Sequence, residues 1–509
     1  MTPLGVERDA ESHDLTLALI GADGQPANNV QLAIDSVGAP ANPDLLVQLL
    51  LFDGQQTTFH LPAGTYEIGS IDFDSSTWLL APRVALSADT TLTLDAHDAR
   101  PADLTIPGVD ARVVNGSWGY SDLGAGIESA LVGGAFASAE IGASAAPGEI
   151  QSDASIVLAT RGDRPSDVFF LSHFEDDHFP TGWRETIRTD QMAVSTTSYA
   201  GPDNTLFQMA AVPLLTDRSA VGASFRFTGP VQHTEHFFAP TTQWWLDLFR
   251  SKTPRFFSLA TKEDEIRELV VGQSSTETWN RAPFGPAFAG PSVFGAAPDG
   301  TAAPARYGDK LWLVPGLYTS RNVPSRHGYT AVPNARLTLF RNGAQIAETK
   351  NPFLHLSPNV PPERAQYRLE GQLTLPATAV DLSPQVLASW TFGSQHNDSV
   401  EFLPLPTLRF SPELDEHNQT SARVLALPIR IERSAGAPRP RIARAEVEAS
   451  LDDGGHWRPV PIVRVNDQAL GLIIHPRGTH FVSLRGRTAD VEGNQSDLTI
   501  IRAYAVVDR

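Results

Sequence analysis

The segment Glu277-Thr-Trp-Asn-Arg-Ala-Pro-Phe-Gly-Pro-Ala-Phe288 lies just past the midpoint of this 509-residue sequence. It combines three aromatic residues with two prolines, and proline is excluded from helix interiors and from central strands. We therefore interpret the segment as an ordered connector whose rings insert into the β layers on either side. The alternative is a surface loop that happens to carry aromatic residues.

Outward from this connector, short apolar or alternating segments recur between turns rich in Gly and Pro, which is typical of many short strands. The clearest is a hairpin at 336–346, where Asn342-Gly343 is the dipeptide of a type I′ turn. The segment 243–249 contains two adjacent Trp, which predicts a strand buried on both faces or an edge strand covered by a loop. A further strand is predicted at Ile266–Val271.

The N-terminal part follows the same pattern, with strands predicted at Asp14–Ile20, Val30–Asp35, Leu45–Phe52 and Thr90–Asp95. The segment 123–146 is rich in Gly, Ala and Ser. It is consistent with a β meander of small residues or with a helix near 126–131.

These patterns predict an all-β protein built from several β-sandwich modules in tandem, because 509 residues are too many for a single core. The predicted division is a lead-in at 1–12, a carboxypeptidase-regulatory-like sandwich at 13–98, a β-rich sandwich at 99–275, a jelly-roll-like sandwich at 276–405 and an immunoglobulin- or fibronectin-like domain at 406–509.

The formal net charge is −19, and it is unevenly placed. Residues 1–150 contain four Arg and no Lys against twenty Asp and Glu, giving 4 − 20 = −16. Such an acidic surface repels phosphate backbones and disfavours nucleic acid as a partner. Its usual role is solubility, and calcium binding or adaptation to salt are the alternatives.

The sequence contains no Cys, which excludes disulfides, thiolate metal sites and a Cys nucleophile. It also contains no apolar run long enough to predict a membrane-spanning helix. The polar N-terminus lacks the basic start and apolar run of a signal peptide. This predicts either a cytosolic protein or a mature portion or fragment of an exported one.

The densest group of potential metal ligands is His173-Phe-Glu-Asp-Asp-His-Phe179. On a strand, His173, Glu175 and Asp177 would share one face, so they are the candidate ligands for Zn²⁺ or Ca²⁺. The spacing matches neither H-E-x-x-H nor an EF-hand. The alternative is a solvated polar turn, and no other cofactor is predicted.

Other signatures of catalysis are weak or absent in the sequence. His233-Thr-Glu-His236 falls one residue short of an inverted zincin motif, and no G-x-S-x-G elbow, P-loop or G-x-G-x-x-G occurs. Carbohydrate binding is a further hypothesis, because exposed aromatic rings stack on sugars. Its candidate rings are Trp78, Trp118 and Trp183, and the alternative is that they fill cores.

Several segments together resemble the long non-catalytic C-terminal region of large secreted bacterial subtilisin-like serine peptidases. The resemblance spans nearly the whole chain and is strongest after residue 275. It is carried by segments that include Leu61-Pro-Ala-Gly-Thr-Tyr66, Trp279–Phe288, Leu339–Glu348, Ala388–Ser394, Leu408–Asn418, Ser450–Trp457 and Val482–Asp490.

The resemblance implies an extracellular, non-catalytic accessory region whose partner is the subtilase catalytic domain or its substrate protein. The D-[ST]-G, H-G-T and G-T-S-M-A motifs of that catalytic domain are absent here, and His327-Gly-Tyr329 lacks the Thr. No catalytic residue is therefore predicted. The alternatives are a stand-alone adhesion protein that binds cell-surface polysaccharide, and an enzyme of another type with its site at His173–His178.

Overall fold

The computed structural model describes residues 11–37, 47–53, 56–132, 137–216, 220–252, 261–288, 304–320, 326–329, 335–350, 355–434, 436–439 and 441–507. These residues form forty β-strands and two three-residue 3-10 helices, Ala96–Asp98 and Thr189–Gln191. The predicted all-β fold is therefore confirmed. In the described ranges, no helix has the length and apolar character that crossing a membrane requires.

Twenty-one strands lie at residues 12–279, and the last of them runs into the connector. They are β1 (Ser12–Ile20), β2 (Asn28–Val37), β3 (Val47–Asp53), β4 (Thr57–Pro62), β5 (Gly64–Asp72), β6 (Thr77–Leu86), β7 (Thr90–Asp95), β8 (Arg100–Thr105), β9 (Ala111–Asp122), β10 (Ile127–Val132), β11 (Ala137–Glu140), β12 (Ile150–Thr160), β13 (Asp167–Asp176), β14 (Trp183–Thr186), β15 (Ala193–Tyr199), β16 (Thr205–Pro213), β17 (Ala223–Gly229), β18 (Val231–Phe238), β19 (Gln243–Ser251), β20 (Thr261–Glu268) and β21 (Ser274–Trp279).

Nineteen strands follow in the C-terminal part. They are β22 (Gly285–Ala287), β23 (Ala305–Gly308), β24 (Lys310–Trp312), β25 (Gly316–Thr319), β26 (His327–Tyr329), β27 (Ala335–Arg341), β28 (Ala344–Thr349), β29 (Ala365–Thr374), β30 (Gln385–Ser394), β31 (Asn397–Phe402), β32 (Thr407–Phe410), β33 (Gln419–Thr420), β34 (Val424–Glu432), β35 (Ile442–Ser450), β36 (Arg458–Pro459), β37 (Ile462–Val465), β38 (Gln468–Ile474), β39 (Phe481–Asp490) and β40 (Gln495–Val506).

The N-terminal part is a stack of four sheets. In order through the stack, these are β4-β1-β7, then β14-β8-β11-β6-β5-β2-β3, then β10-β9-β12-β13-β18-β15-β21, then β17-β16-β19-β20-β26. Three separate apolar cores fill the spaces between successive sheets. The two seven-stranded sheets therefore have cores on both faces.

Strand β12 shows why the middle sheets are covered on both faces. Its sequence, Ile150-Gln-Ser-Asp-Ala-Ser-Ile-Val-Leu-Ala-Thr160, is buried almost continuously rather than at every second residue. Ile156 packs toward the second sheet, and Val157 packs toward the fourth. Continuous apolar strands of this kind are the ones that sheets place between two layers.

The C-terminal part is a sandwich around one large core. Its main sheet runs β28-β27-β29-β30-β40-β39-β35-β36, and the opposing four-stranded sheet runs β32-β34-β38-β37. The hairpin of β27 and β28 turns at Asn342 and Gly343, both with positive φ, which confirms the prediction from this dipeptide.

The connector inserts rings into both parts of the molecule. Trp279 is fully buried in the core between the third and fourth sheets of the stack. Phe284 and Phe288 are buried in the C-terminal core, where Phe284 stacks on Tyr318 with ring centroids 4.5 Å apart. The interpretation as an ordered connector is confirmed.

The structure corrects two local predictions and resolves a third. The fourth sheet contains β20 at Thr261–Glu268, whereas the sequence predicted a strand at Ile266–Val271. A helix near 126–131 is wrong, because β10 occupies Ile127–Val132. Strand β19 pairs with a neighbour on each side, as a central rather than an edge strand.

The predicted module boundaries and the carboxypeptidase-regulatory-like and immunoglobulin-like classes stay predictions. Two of the boundaries lie within shared sheets. Strand β6 pairs with β11 across the 98/99 boundary, and β30 pairs with β40 across the 405/406 boundary.

Candidate functional site

The candidate metal ligands are not brought together. Strand β13 ends at Asp176, and Asp177 adopts a φ of 82° and accepts a hydrogen bond from the Gly148 amide at 2.6 Å. The His173 ring stacks on Trp183, and Glu175 pairs with His178 at 2.9 Å. Throughout the described part of the chain, no three His, Asp or Glu side chains cluster as ligands of a metal ion would.

The two histidines of His233-Thr-Glu-His236 point to opposite faces of β18, because residues three apart on a strand do not share a face. His233 pairs with the buried Glu235 at 3.1 Å, whereas His236 pairs with Asp167 at 2.9 Å. Glu235 also accepts hydrogen bonds from Thr197 and Tyr199. These contacts form part of the buried packing between strands rather than a zinc site.

The candidate sugar-stacking rings fill cores. Trp78, Trp118 and Trp183 are all buried within the core between the second and third sheets. All nine Trp of the chain lie in described positions, and none of them is exposed. These three residues therefore do not support the hypothesis of polysaccharide binding.

The sequence did not predict that strand β20 is both charged and buried. Thr-Lys-Glu-Asp-Glu at 261–265 is buried at every residue, although such charged residues are seldom buried unless paired. Lys262 pairs with Asp247 on β19, and its Nζ lies 5.1 and 4.9 Å from the ring centroids of Trp245 and Phe249. The aromatic residues of β19 are the signal that could have indicated a buried cation next to them.

Arg326 completes this charged layer. It is fully buried and lies 3.3 Å from both Glu265 and Glu277, while its Nη1 donates to the Thr278 carbonyl at 2.5 Å. Its guanidinium carbon lies 3.6 Å from the centroid of the Trp279 ring. The connector, which contains Glu277 and Trp279, therefore begins next to this buried network of ion pairs.

A second charged cluster lies between the two seven-stranded sheets. Glu67 accepts a hydrogen bond from Tyr120 at 2.6 Å, and Arg83 bridges Asp122 and Glu149 at 2.5 and 2.7 Å. Burial is the main cause that raises the pKa of Glu67 to about 8; the Tyr120 hydrogen bond opposes this rise, and the nearby Asp122 adds to it. Glu67 is therefore protonated in the folded protein at neutral pH.

Replacing Glu67 with Gln should flatten the dependence of stability on pH. The folded-state pKa lies above its ordinary value near 4.5, so the free energy of unfolding of the wild type falls as pH rises from 4.5 to 8. The fall should total about 4 kcal/mol, since each unit of pKa shift corresponds to about 1.4 kcal/mol. Urea unfolding at pH 5, 6.5 and 8 measures it, with the exposed Glu128→Gln as the control. Equal pH slopes in Glu67→Gln and the wild type would contradict the assignment.

Two asparagines join the N-terminal stack to the C-terminal sandwich. Asn280 donates to the Ala200 carbonyl at 2.6 Å, and Asn418 donates to the Asn280 carbonyl at 2.9 Å. The Asn418 side-chain oxygen accepts from the Ala282 amide at 3.0 Å. Both residues have positive φ, which Asn tolerates better than most side chains. The connector is therefore held by a loop from residues 414–418.

A cleft of about 790 Å³ opens beside this junction. Both parts of the molecule contribute to it, and its charged lining consists of Arg164, Asp203, Arg281, Asp415, Glu416 and His417. The carboxylates are engaged locally: Asp203 pairs with His417 at 3.2 Å, and Asp415 accepts from the amides of His417 and Gln419 at 2.9 Å.

The two arginines of the cleft are not bonded to carboxylates. Arg281 donates to the Asp415 carbonyl and not to its carboxylate, and burial lowers its pKa. Arg164 is exposed and also lines the cleft. A ligand carboxylate that reached either guanidinium group would receive charge-assisted hydrogen bonds.

The same cleft does not assemble a nucleophile with a base. Ser198 and His417 both line it, but the Ser198 hydroxyl accepts from Gln232 at 2.9 Å and has no hydrogen bond to His417. A serine nucleophile is activated by a base within hydrogen-bond reach, and this pair is not bonded here.

No protein-family model matches this sequence, and no curated protein matches it. Among solved structures, the Bacillus anthracis TIE protein matches at 9% identity and a TM-score of 0.13, covering 52% of this chain and 50% of that one. Escherichia coli alpha-2-macroglobulin activated by porcine elastase matches at 8% identity and a TM-score of 0.16, covering 98% and 53%.

The trypsin-activated form of Escherichia coli alpha-2-macroglobulin matches at 10% identity and a TM-score of 0.16, covering 98% of this chain and 41% of that one. The chain thus spans about half the length, or less, of the structures it matches. At these TM-scores the likenesses carry no argument about function.

Proposed function

We propose that this chain is a non-catalytic accessory region of a secreted subtilisin-like serine peptidase, and that its junction cleft binds an acidic segment of the catalytic domain or of the substrate protein. The observation that carries the proposal is the interlocking of Trp279–Phe288 with Leu408–Asn418. These are two of the segments on which the resemblance to that peptidase region depends. They meet at Asn280 and Asn418 and line the cleft together.

The cleft chemistry supports an acidic ligand. Its carboxylates are occupied by His417 and by backbone amides, whereas Arg164 and Arg281 line the cleft without a carboxylate partner among the described residues. Arginine binds carboxylates through two parallel hydrogen bonds, which gives orientation as well as affinity. An extended peptide segment carrying Asp or Glu has the size and charge that this open, mixed surface accommodates.

The experiment mixes the purified chain with the subtilase catalytic domain from the same source. Isothermal titration calorimetry measures binding, and casein hydrolysis measures any change in the rate or stability of the peptidase. The expected result is saturable binding with no hydrolysis by the chain alone. Hydrolysis by the chain alone that a serine-directed inhibitor stops would refute the non-catalytic assignment, and the absence of any binding would refute the accessory role.

Replacing Arg164 and Arg281 together with Gln should weaken this binding by about 100-fold or more, since each lost charge-assisted hydrogen bond costs about 1.5 to 3 kcal/mol. The control is Arg184→Gln, because Arg184 is exposed away from the cleft and pairs only with Asp103 at 3.1 Å. Equal affinities for the double variant and the control would show that the ligand binds somewhere other than the cleft.

A further inference from the structure

The outer face of β34, β38 and β37, three strands of the four-stranded C-terminal sheet, is largely apolar and exposed. Strands β34, β38 and β37 lie side by side, with Val424 opposite Ile474, Pro428 opposite Leu470 and Leu470 opposite Val463. The large hydrophobic residues of this face, which we call the outer apolar face, are Val424, Val463, Val465, Leu470, Leu472 and Ile474.

These six residues are unusually exposed for large hydrophobic side chains. Each has between 49% and 76% of its surface accessible, and together they account for six of the fifteen large hydrophobic residues that are exposed in the described part of the chain. The other nine are scattered singly, as on any soluble protein. A contiguous apolar patch marks an interaction surface instead.

The sequences of β34 and β38 are typical of strands that are covered on both faces. The inward residues of β34 and β38, including Leu425, Leu427 and Ile473, are buried in the C-terminal core, so both faces of the sheet are apolar. A sheet with one solvated face alternates apolar and polar residues, whereas a sheet covered on both faces does not. Residues 156–159 of β12, which is covered on both faces within this chain, form such a continuous apolar run.

The charges around this face are predominantly positive. Arg423, strand β34 and the segment 461–477 together contain four Arg, one Asp and one Glu, giving 4 − 2 = +2, in a protein of net charge −19. Arg430 lies at one end of the face, beside Gln468, and Arg423 and Arg477 lie at the other end, where β34 begins and just after β38 ends. A second copy would carry the same net positive charge around its own face. The charge therefore favours a partner whose apolar surface has an acidic surround.

We propose that the outer apolar face is the docking surface for another protein domain, whose contact surface is apolar at its centre and carries Asp and Glu at its rim. The flat array of three adjacent strands fits a sheet packed face to face, as in the stack of this same chain. This inference stands independently of the junction cleft and of the peptidase resemblance.

The test places a photo-crosslinking amino acid at position 472, or at position 123 as the control, in the full chain produced in the organism that encodes it. Leu472 and Leu123 match closely, with 58% and 59% of their surfaces exposed, and only Leu472 lies on the outer apolar face. The expected result is one discrete adduct from position 472 that is absent from position 123. Mass spectrometry of the adduct identifies the partner and the crosslinked peptide.

Binding measurements with the purified partner then test whether the contact is apolar at its centre and acidic at its rim. Leu472→Asp should weaken binding at least 30-fold, whereas Leu123→Asp should leave it unchanged, and added salt should weaken the wild-type complex because the rim charges are screened. Equal thermal unfolding temperatures of the two variants show that the fold is intact. A crosslinked surface that is basic, or binding unaffected by Leu472→Asp, overturns the proposal.

Three other outcomes also overturn it. An adduct of twice the mass of the chain, with dimerisation in solution that Leu472→Asp abolishes, identifies a second copy as the occupant. Sedimentation with phosphatidylcholine–phosphatidylserine vesicles that Leu472→Asp abolishes identifies a lipid surface. Crosslinking from position 472 no greater than from position 123 shows that the face is not a docking surface.

Discussion

Replacing Arg326 with Ala is expected to lower the free energy of unfolding by about 3 to 5 kcal/mol, because it removes one of the two cations, Arg326 and Arg267, that pair with the carboxylates of Glu265 and Glu277. Arg326 is fully buried, pairs with Glu265 and Glu277 at 3.3 Å, and covers the Trp279 ring. Removing the whole ion network together would cost less than removing this one partner. The loss should appear as a lower midpoint in urea unfolding at pH 7.

The pH dependence of this variant provides a second check. Burial raises the pKa of Glu277, and the charges of Arg267 and Arg326 oppose that rise. Without Arg326 the folded-state pKa rises further, so the variant can relieve the penalty by protonation at low pH. The destabilisation should therefore be smaller at pH 4.5 than at pH 7.

The matched control is Arg336→Ala, which removes a surface ion pair with Glu348 at 3.8 Å. Exposed pairs of this kind contribute at most about 1 kcal/mol. Equal effects of Arg326→Ala and Arg336→Ala would mean that the buried network contributes no more than a solvated ion pair.

Replacing Trp390 with Ala is expected to destabilise the C-terminal sandwich by about 3 to 5 kcal/mol through loss of burial and creation of a cavity. Trp390 is buried on β30, its Nε1 donates to the Pro406 carbonyl at 3.0 Å, and its ring packs edge-on against Phe288 at 4.8 Å. The Trp390 side chain therefore contacts the connector, the main sheet and the start of the segment 406–509.

Hydrogen exchange distinguishes one folding unit from two. Because β30 pairs with β40 and one core spans residues from 282 to 506, we expect Trp390→Ala to reduce amide protection equally in β29 and β39. The control is Trp457→Ala, since Trp457 is half-buried beneath Arg485 in a hairpin turn. Reduced protection in β29 alone would show that segments 276–405 and 406–509 unfold independently.

Local signals in the sequence predicted much of the secondary structure. Alternating residues predicted β1 and β7, and Asn342-Gly343 predicted its hairpin turn, because these features depend on neighbouring residues alone. The connector was predicted for a similar reason. Prolines exclude regular structure locally, and three large rings in such a segment require a core to receive them.

The candidate sites were predicted less well. The run His173–Phe179 has metal-binding residue types, but β13 ends within it and its side chains turn to different neighbours. The cleft beside Asn280 joins Tyr199, Arg281 and His417 from distant parts of the sequence. No spacing rule connects residues that only the packing of separate sheets brings together.

The sequence by itself determined the all-β class, many of the strands and turns, and the insertion of the connector between two cores. These depend on periodicity, turn chemistry and proline, which act over a few residues. Only the tertiary structure decided that Lys262, Glu263 and Glu265 are buried and that Leu472 is exposed. Burial depends on what the neighbouring sheets supply: a charged strand can be internal where buried partners neutralise it, and an apolar strand is exposed where no layer of its own chain covers it.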